Sequence, residues 1–211
     1  MNTPGWLAIV LLTVAALSLG DKRLRPLITT YAVQALLLGG VVISEALAEH
    51  NTPLLFYGLA IVAVKGLATP AYITWMSHRL GVQRELEPIL NIPLSLLAAG
   101  LSLLAALQAS SAVRLPEDER ILLVAGLGTV LLGLLTMATR RRAINQSLGL
   151  LTMENGAFLV SLTLAGGLPL AIELSAFLEV IVLVVLLGIL FQRIHETFES
   201  IDASAMTTLG E

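Results

Sequence analysis

Cysteine is absent from this 211-residue sequence. Disulfide bonds, thiolate zinc sites and cysteine-ligated iron–sulfur clusters are therefore excluded for this chain. Charged residues are also scarce, at 13% of the chain, whereas they make up about a quarter of an ordinary soluble domain. Hydrophobic residues account for 56%, and this balance predicts a protein that lies within a lipid bilayer.

Metal sites and covalent catalysis have little support in the sequence. The three histidines, His50, His78 and His195, are far apart and lie at the ends of apolar runs, a pattern that does not favour haem or metal ligation. Glycine-rich phosphate loops, nucleophile elbows and histidine–glutamate pairs at zinc spacing are all missing. We expect no catalytic residue, cofactor or metal on this chain, and no nucleic-acid partner.

Seven apolar runs divide the chain. Each has about the 20 residues with which an α-helix crosses a bilayer core, and none alternates polar and apolar residues as barrel strands do. The runs cover residues 3–20, 27–47, 54–76, 89–113, 121–139, 148–167 and 168–191. They predict an all-α polytopic membrane protein of about seven transmembrane helices, with residues 1–211 in a single membrane domain. Because residues 1–5 carry no base, the first run is expected to be a retained helix and not a cleaved signal peptide.

Basic residues in the connecting segments predict the orientation, because Lys and Arg near helix ends are retained in the cytoplasm. One side of a seven-helix arrangement holds Lys22, Arg23, Arg25, Arg79, Arg84, Arg140, Arg141, Arg142 and Arg193. The other side holds only Arg114 and Arg120, beside three acidic residues. The N-terminus is therefore predicted outside and the C-terminus in the cytoplasm, which places the chain in the cytoplasmic (inner) membrane.

Residues 192–211 form a polar C-terminal tail. Ile194, Phe198 and Ile201 recur in it at helical spacing, with acidic residues on the other face. This pattern predicts an amphipathic tail that lies along the membrane surface or a partner. A frayed, solvated end is the alternative.

Five ionisable residues fall inside the apolar runs. An ionisable group in hydrocarbon costs at least about 2.5–3.5 kcal/mol, so it must face the bundle interior, a cavity or a partner. These residues are Glu45, Lys65, Glu154, Glu173 and Glu179. Their different depths suit a proton relay, with Lys65 as the switching partner of a glutamate that the sequence does not identify. Glu45, near the outer end of its run, could instead reach water.

A structural role is the alternative for these charges. They could neutralise one another, or pair with another subunit, only to fix helix packing. Pro70, five residues after Lys65, cannot donate a backbone hydrogen bond, so a kink is predicted beside the buried lysine. Such a kink would free a backbone carbonyl that the lysine or a water molecule could use.

The stretch Leu-Thr-Met-Glu-Asn-Gly at residues 151–156 resembles a motif of component E of hydrogenase 4, a membrane subunit of formate hydrogenlyase-type nickel–iron hydrogenase complexes. Val-Lys-Gly-Leu at residues 64–67, followed by Pro70, resembles the lysine and proline helix of that family. Glu173 with Glu179 resembles its last helix, and Ile201-Asp202 with Leu209 resembles its C-terminal tail.

Residues 121–191 also resemble two smaller proteins, the K subunit of respiratory NADH dehydrogenase and the C subunit of multisubunit sodium/proton antiporters. The resemblance implies that Glu154 belongs to a hydrophilic axis within the membrane and that Glu179 corresponds to a second axis glutamate. It further implies large antiporter-like membrane subunits and a membrane-anchoring subunit as partners. The nickel–iron centre and the iron–sulfur clusters are expected on partner subunits.

Three functions fit these observations. The leading one is a proton- or ion-translocating subunit of an energy-converting complex of the nickel–iron hydrogenase or NADH dehydrogenase type, relaying protons through buried Glu and Lys. A stand-alone proton-coupled transporter is the second, although the chain lacks a convincing inverted repeat. The third is a passive assembly scaffold of the membrane arm.

Overall fold

A computed structural model of the chain describes residues 3–21, 23–79, 92–164 and 188. Within these residues the regular structure is helical, and no strand occurs. The helices are α1 (Thr3–Ser18), α2 (Leu24–Ala48), α3 (Thr52–Ile61), a π-helical segment (Val62–Ala68), α4 (Thr69–Arg79), α5 (Ile92–Ser111), α6 (Glu117–Thr139) and α7 (Ala143–Leu164). The prediction of an all-α chain is confirmed.

Five helical stretches of the described residues are long and apolar enough to cross a membrane. They are Leu24–Ala48, Thr52–His78, Pro93–Ser111, Glu117–Thr139 and Ile144–Leu164, and α1 is a shorter apolar helix. These six elements correspond to the first six predicted runs. The seventh run, residues 168–191, and the tail, residues 192–211, lie outside the described residues. The orientation and the single-domain division stay predictions.

Several helices begin a few residues before the predicted apolar runs. Helix α2 begins at Leu24 and holds Pro26 in its first turn, where the backbone N–H groups have no partner within the helix. The Asn51 side chain caps α3. Helix α6 begins at Glu117 with three acidic residues, which interact favourably with the helix N-terminus. Helix α7 begins at Ala143 and so takes in polar residues that hydropathy excluded.

The helix ends define two ends of the bundle. Helices α1, α4 and α6 end, and α2 and α7 begin, at what we call the basic end, which carries Arg23, Arg25 and the three arginines at residues 140–142. It is the end predicted to face the cytoplasm. The opposite end, where α2 ends and α3 and α6 begin, is called the far end.

Two large apolar clusters fill most of the interior at different depths, and a small third one, of Ala15, Leu19 and Leu132, joins α1 to α6. The far-end cluster consists of Ala8, Leu11, Leu38, Val41, Val42, Ala46, Leu54, Ile61, Leu122, Ala125, Phe158 and Leu159. The basic-end cluster consists of Leu24, Leu27, Ile28, Tyr31, Ala35, Ile73, Met76, Ile144, Leu148 and Leu151, with Tyr72 packed against it. Helices α1, α2, α6, α7 and the third span thus surround one interior, while α5 packs on α6 from outside. Helix α5 exposes leucines such as Leu97, Leu101 and Leu104, as a lipid-facing helix does.

Candidate functional site

A buried ion pair joins the third span to α7. Lys65 Nζ donates a hydrogen bond to Glu154 Oε1. The two residues are 2% and 1% exposed, respectively, although they are 89 positions apart in the sequence. The prediction that both face the interior is confirmed. The structure also identifies the partner of Lys65, which the sequence left open.

Lys65 lies on the π-helical segment. Here the helix widens, and the Thr69 N–H donates to the Val64 carbonyl, five residues back. Pro70 follows directly and has no N–H to donate. The sequence predicted a kink at this proline, and the structure places a wider helical turn on its N-terminal side. Such π-helical turns are rare and occur frequently at functional sites.

Helix α2 and the third span, which carries Lys65, approach each other closely at glycine positions. A Cβ atom added at Gly66 would lie 2.8 Å from the Leu36 side chain, and one added at Gly58 would lie 2.7 Å from that of Ile43. Gly39 on α2 faces Val62 in the same way. Because these positions carry no side chain, the third span lies against α2 along its length, and Lys65 is held in the interior.

Four glycines fix the position of the helix that carries Glu154. Gly126 of α6 faces Gly156 of α7, and Gly133 faces Gly149. A Cβ atom at Gly156 would lie 2.6 Å from the Gly126 carbonyl oxygen, and one at Gly149 would lie 3.0 Å from the Gly133 carbonyl oxygen. The spacing of seven residues on each helix keeps the glycines on one face. Helices α6 and α7 therefore pack backbone to backbone, two residues from Glu154.

The ion pair lies where the two apolar clusters meet. On α7 the basic-end cluster reaches Leu151 and the far-end cluster begins at Phe158, with Glu154 and Asn155 between them. On α2 the basic-end cluster reaches Ala35 and the far-end cluster begins at Leu38, so Gln34 lies on the basic side of that boundary, within about one helical turn of it. Gln34 and Asn155 are both fully buried. A polar layer of Gln34, Lys65, Glu154 and Asn155 thus crosses the bundle at this depth.

The amides of this layer lack direct partners. Neither polar atom of the Gln34 side chain, and neither of the Asn155 side chain, has a hydrogen-bond partner among the residues described. A buried amide without a hydrogen bond is costly, so ordered water is a common partner at such positions. Both residues were visible in the sequence as polar interruptions of apolar runs, but their common depth was not.

The other predicted relay residues lie elsewhere. Glu45 is partly buried in the last turn of α2, at the far end. Glu173 and Glu179 lie outside the described residues. Within the described ranges, no group of three or more His, Asp or Glu side chains could hold a metal ion. The histidines His50 and His78 are exposed at the ends of α2 and α4.

A buried arginine at the basic end was missed at the level of sequence. Arg140 is 2% exposed, and its Nη2 donates to the carbonyl oxygens of Ser18 at 3.2 Å and Leu19 at 3.4 Å. It therefore joins the end of α6 to the end of α1 and complements the C-terminal carbonyls there. Burial raises the pKa of the nearby Asp21 carboxyl, and the Arg140 guanidinium partly offsets that rise. The sequence placed Arg140 with its neighbours in a basic connection and could not show that it faces inward.

Known proteins from several bacteria are similar to this chain over most of its length. The uncharacterized protein Rv0085 of Mycobacterium tuberculosis is 30% identical over an alignment of 208 positions that covers 95% of this chain and 93% of that protein. Hydrogenase-4 component E of Escherichia coli is 26% identical over 181 residues, 85% of this chain and 84% of that protein. The protein of the same name from Shigella flexneri matches to the same extent.

No protein-family model matches the chain, and no solved structure matches it. The similarity to the K and C subunits of larger complexes stays a prediction. The relatives nevertheless cover nearly the whole chain, including the Lys65 segment and the Glu154 motif. The chain belongs to the family of membrane proteins that includes Rv0085 and hydrogenase-4 component E.

Proposed function

We propose that this protein is a proton-translocating membrane subunit of an energy-converting complex of the nickel–iron hydrogenase or NADH dehydrogenase type. Its similarity to a hydrogenase-4 component supports membership of a multisubunit complex. The observation that carries the proposal is the buried Lys65–Glu154 pair. Intramembrane ionisable residues of this kind mark ion paths and proton relays more often than they serve packing alone.

The surroundings of the pair favour a proton relay over a purely structural ion pair. A purely structural pair would be most stable with every neighbouring polar group hydrogen-bonded, because a partly satisfied buried network is less stable than an apolar core. Gln34 and Asn155 instead bring into the layer two amides that have no direct partner among the described residues. Such groups suit a site through which water and protons pass.

The chemistry needs only these two side chains and water. When a proton reaches the Glu154 carboxylate, the negative charge beside the Lys65 ammonium disappears. The ammonium form of Lys65 is then no longer favoured by its partner, so one N–H proton can pass to water or to the next titratable group. When Glu154 later releases its proton, Lys65 binds one again and the ion pair is restored.

The rest of the path and the rest of the complex extend this proposal. Glu179 and Glu173 are proposed as further relay groups. Glu45 is the weakest candidate, since eleven residues of helix, about 16 Å, separate it from Gln34. We propose large antiporter-like subunits and a membrane-anchoring subunit as partners, with the nickel–iron centre and iron–sulfur clusters on other chains. The cytoplasmic (inner) membrane is the proposed location.

The test is ion pumping by the intact complex in sealed vesicles. Glu154→Gln keeps the size of the side chain and an oxygen that can accept from Lys65, but it cannot carry a proton. We expect pumping to fall to background while the complex stays assembled. Glu119→Gln, the same change at an exposed far-end acid, serves as the control and should pump normally.

Each result of this comparison has a definite meaning. Unchanged pumping by Glu154→Gln, measured at wild-type amounts of complex, contradicts the proposed relay. If Glu154→Gln prevents assembly while Glu119→Gln does not, the charge acts in packing, and the scaffold function takes precedence. Purification of the chain without large partner subunits would instead favour a stand-alone transporter.

A further inference from the structure

Buried polar side chains are distributed unevenly on the two sides of the Lys65–Glu154 layer. From the layer to the basic end, α7 buries Asn145, Ser147 and Thr152. Tyr72 of α4 places its hydroxyl at the same side, buried and with no hydrogen-bond partner among the described residues. The Asn145 Oδ1 atom is likewise buried without a partner there. The basic side of the layer thus contains polar groups that water can satisfy.

The far side of the layer is closed by apolar side chains. The far-end cluster contains twelve buried apolar residues, and few polar side chains are buried beside it. Among the described residues beyond the layer, Glu45 and Tyr57 are only partly buried. Thr129 of α6, which lies beside Gly156, donates to the Ala125 carbonyl of its own helix. The one other buried Ser, Thr, Asn, Gln or charged residue there is Ser110 on the peripheral helix α5. Its hydroxyl donates to the Leu107 carbonyl of its own helix and requires no water.

We propose that, within the described helices, water reaches the Lys65–Glu154 pair from the basic end and not from the far end, along a half-path lined by Asn145, Ser147, Tyr72 and Gln34. From Asn145 to Glu154 the helix rises about 14 Å, a distance that a few hydrogen-bonded waters span. The groups along it without a partner among the described residues, which are Asn145 Oδ1, the Tyr72 hydroxyl and the Gln34 amide, bind water at little cost, whereas leaving them unpaired would be unfavourable. The far-end cluster offers water no such partners.

The role of this half-path rests on the proposed function, because a water path to the pair matters only if the pair relays protons. A proton taken up at the basic end reaches Glu154, but the described helices give it no polar route onward to the far end. Onward transfer from the pair then needs groups outside these helices, and Glu173 and Glu179 are the candidates already proposed. The described helices thus act as an entry segment of the proposed relay.

The absence of cysteine makes the half-path directly testable, because each introduced cysteine is the only thiol of the chain. Ser147→Cys and Val42→Cys form a matched pair: both positions are buried, and they lie about 10 and 12 Å along their helices from the layer, on opposite sides. Ser147→Cys replaces an oxygen with a slightly larger sulfur, and Val42→Cys replaces two methyl groups with one sulfur, so neither change overpacks the interior. Gln34→Cys reports on the layer itself.

The probe is Ag⁺, a small thiol-binding cation, applied to the assembled complex in right-side-out or inverted vesicles. Thiols that Ag⁺ has not reached are then labelled with a maleimide after denaturation. Arg141→Cys, at an exposed position of the basic end, shows with a membrane-impermeant maleimide which vesicle face carries that end. Amounts of assembled complex are matched between variants.

We expect Ag⁺ at the basic face to abolish maleimide labelling of Ser147→Cys and Gln34→Cys, and Ag⁺ at the other face to leave it unchanged. Val42→Cys should be labelled fully in every case. Access to Val42→Cys from the far face, or no access to Ser147→Cys from the basic face, overturns the half-path. Should either variant fail to assemble, Asn145→Cys and Ala46→Cys provide a second pair on the same two sides. Because this readout needs no pumping, it is independent of the result for Glu154→Gln.

Discussion

Lys65→Met is expected to cost about 3–5 kcal/mol of the stability of the assembled protein, because it leaves the Glu154 carboxylate buried without its partner. Glu154→Gln should cost less, since the amide oxygen still accepts from Lys65. The double variant, Lys65→Met with Glu154→Gln, should be more stable than Lys65→Met alone, because no buried charge remains in it. The thermal midpoint of the purified complex compares the stability of the two single variants and the double variant.

A buried ion pair adds little to the net free energy of unfolding, whereas removing one of its partners lowers that free energy strongly. Lys65 and Glu154 are both almost fully buried and come from different helices. Their two substitutions should therefore be strongly non-additive. Additive effects would contradict the pairing that the structure shows.

The double variant also separates stability from function. If the pair only fixes packing, restored stability should bring back normal pumping. If the pair relays protons, the double variant should assemble and still fail to pump. Glu119→Gln again serves as the control for an acid outside the interior.

Gly133→Ala and Gly156→Ala are expected to be the most damaging glycine-to-alanine substitutions among the described residues. A Cβ atom at Gly133 would collide with the backbone of Met153, and one at Gly156 would lie 2.5 Å from the Val130 nitrogen. Side chains can move aside, but backbone of a packed helix cannot do so without shifting the whole helix. Overpacking of this kind costs about 1–3 kcal/mol or more. We expect a lower thermal midpoint and weaker pumping, because the shift displaces Glu154.

Gly100→Ala provides the matched control. It makes the same change on α5, where an added Cβ would meet no atom within 4 Å. Alanine is favoured over glycine within a helix by about 0.5–1 kcal/mol, so this variant should be as stable as wild type or slightly more so. Equal losses of stability in Gly100→Ala and Gly133→Ala would show that close contact between α6 and α7 is not what these glycines provide.

Much of the fold could be predicted from hydropathy because five described helical stretches are apolar and long enough to cross a membrane. The predicted boundaries differ from the structure mainly at helix starts, where polar residues belong to the helix. Hydropathy assigns Asn145 and Ser147 to a connection, yet both are buried on α7. Polar residues at the beginning of a span look like a loop when they face an interior and not the solvent, and a single sequence does not distinguish the two.

The site could be predicted in its components but not in its geometry. The cost of burying charge identifies Lys65 and Glu154 as interior residues. Their contact depends on the packing of the third span against α2 and of α6 against α7, which depends in turn on glycines far from either residue in the sequence. The π-helical segment was missed because Pro70 predicts a disturbed helix without stating which hydrogen bonds replace the lost one.

The proposed relay requires Glu154 to change its protonation state during turnover of the complex. Infrared difference spectroscopy of the complex, with resting and turning-over samples compared, measures this directly. We expect a carboxyl C=O stretching band in the wild-type difference spectrum that is missing in Glu154→Gln and retained in Glu119→Gln. Identical difference spectra of wild type and Glu154→Gln would contradict the account, because the Lys65–Glu154 pair would then stay ionised throughout turnover.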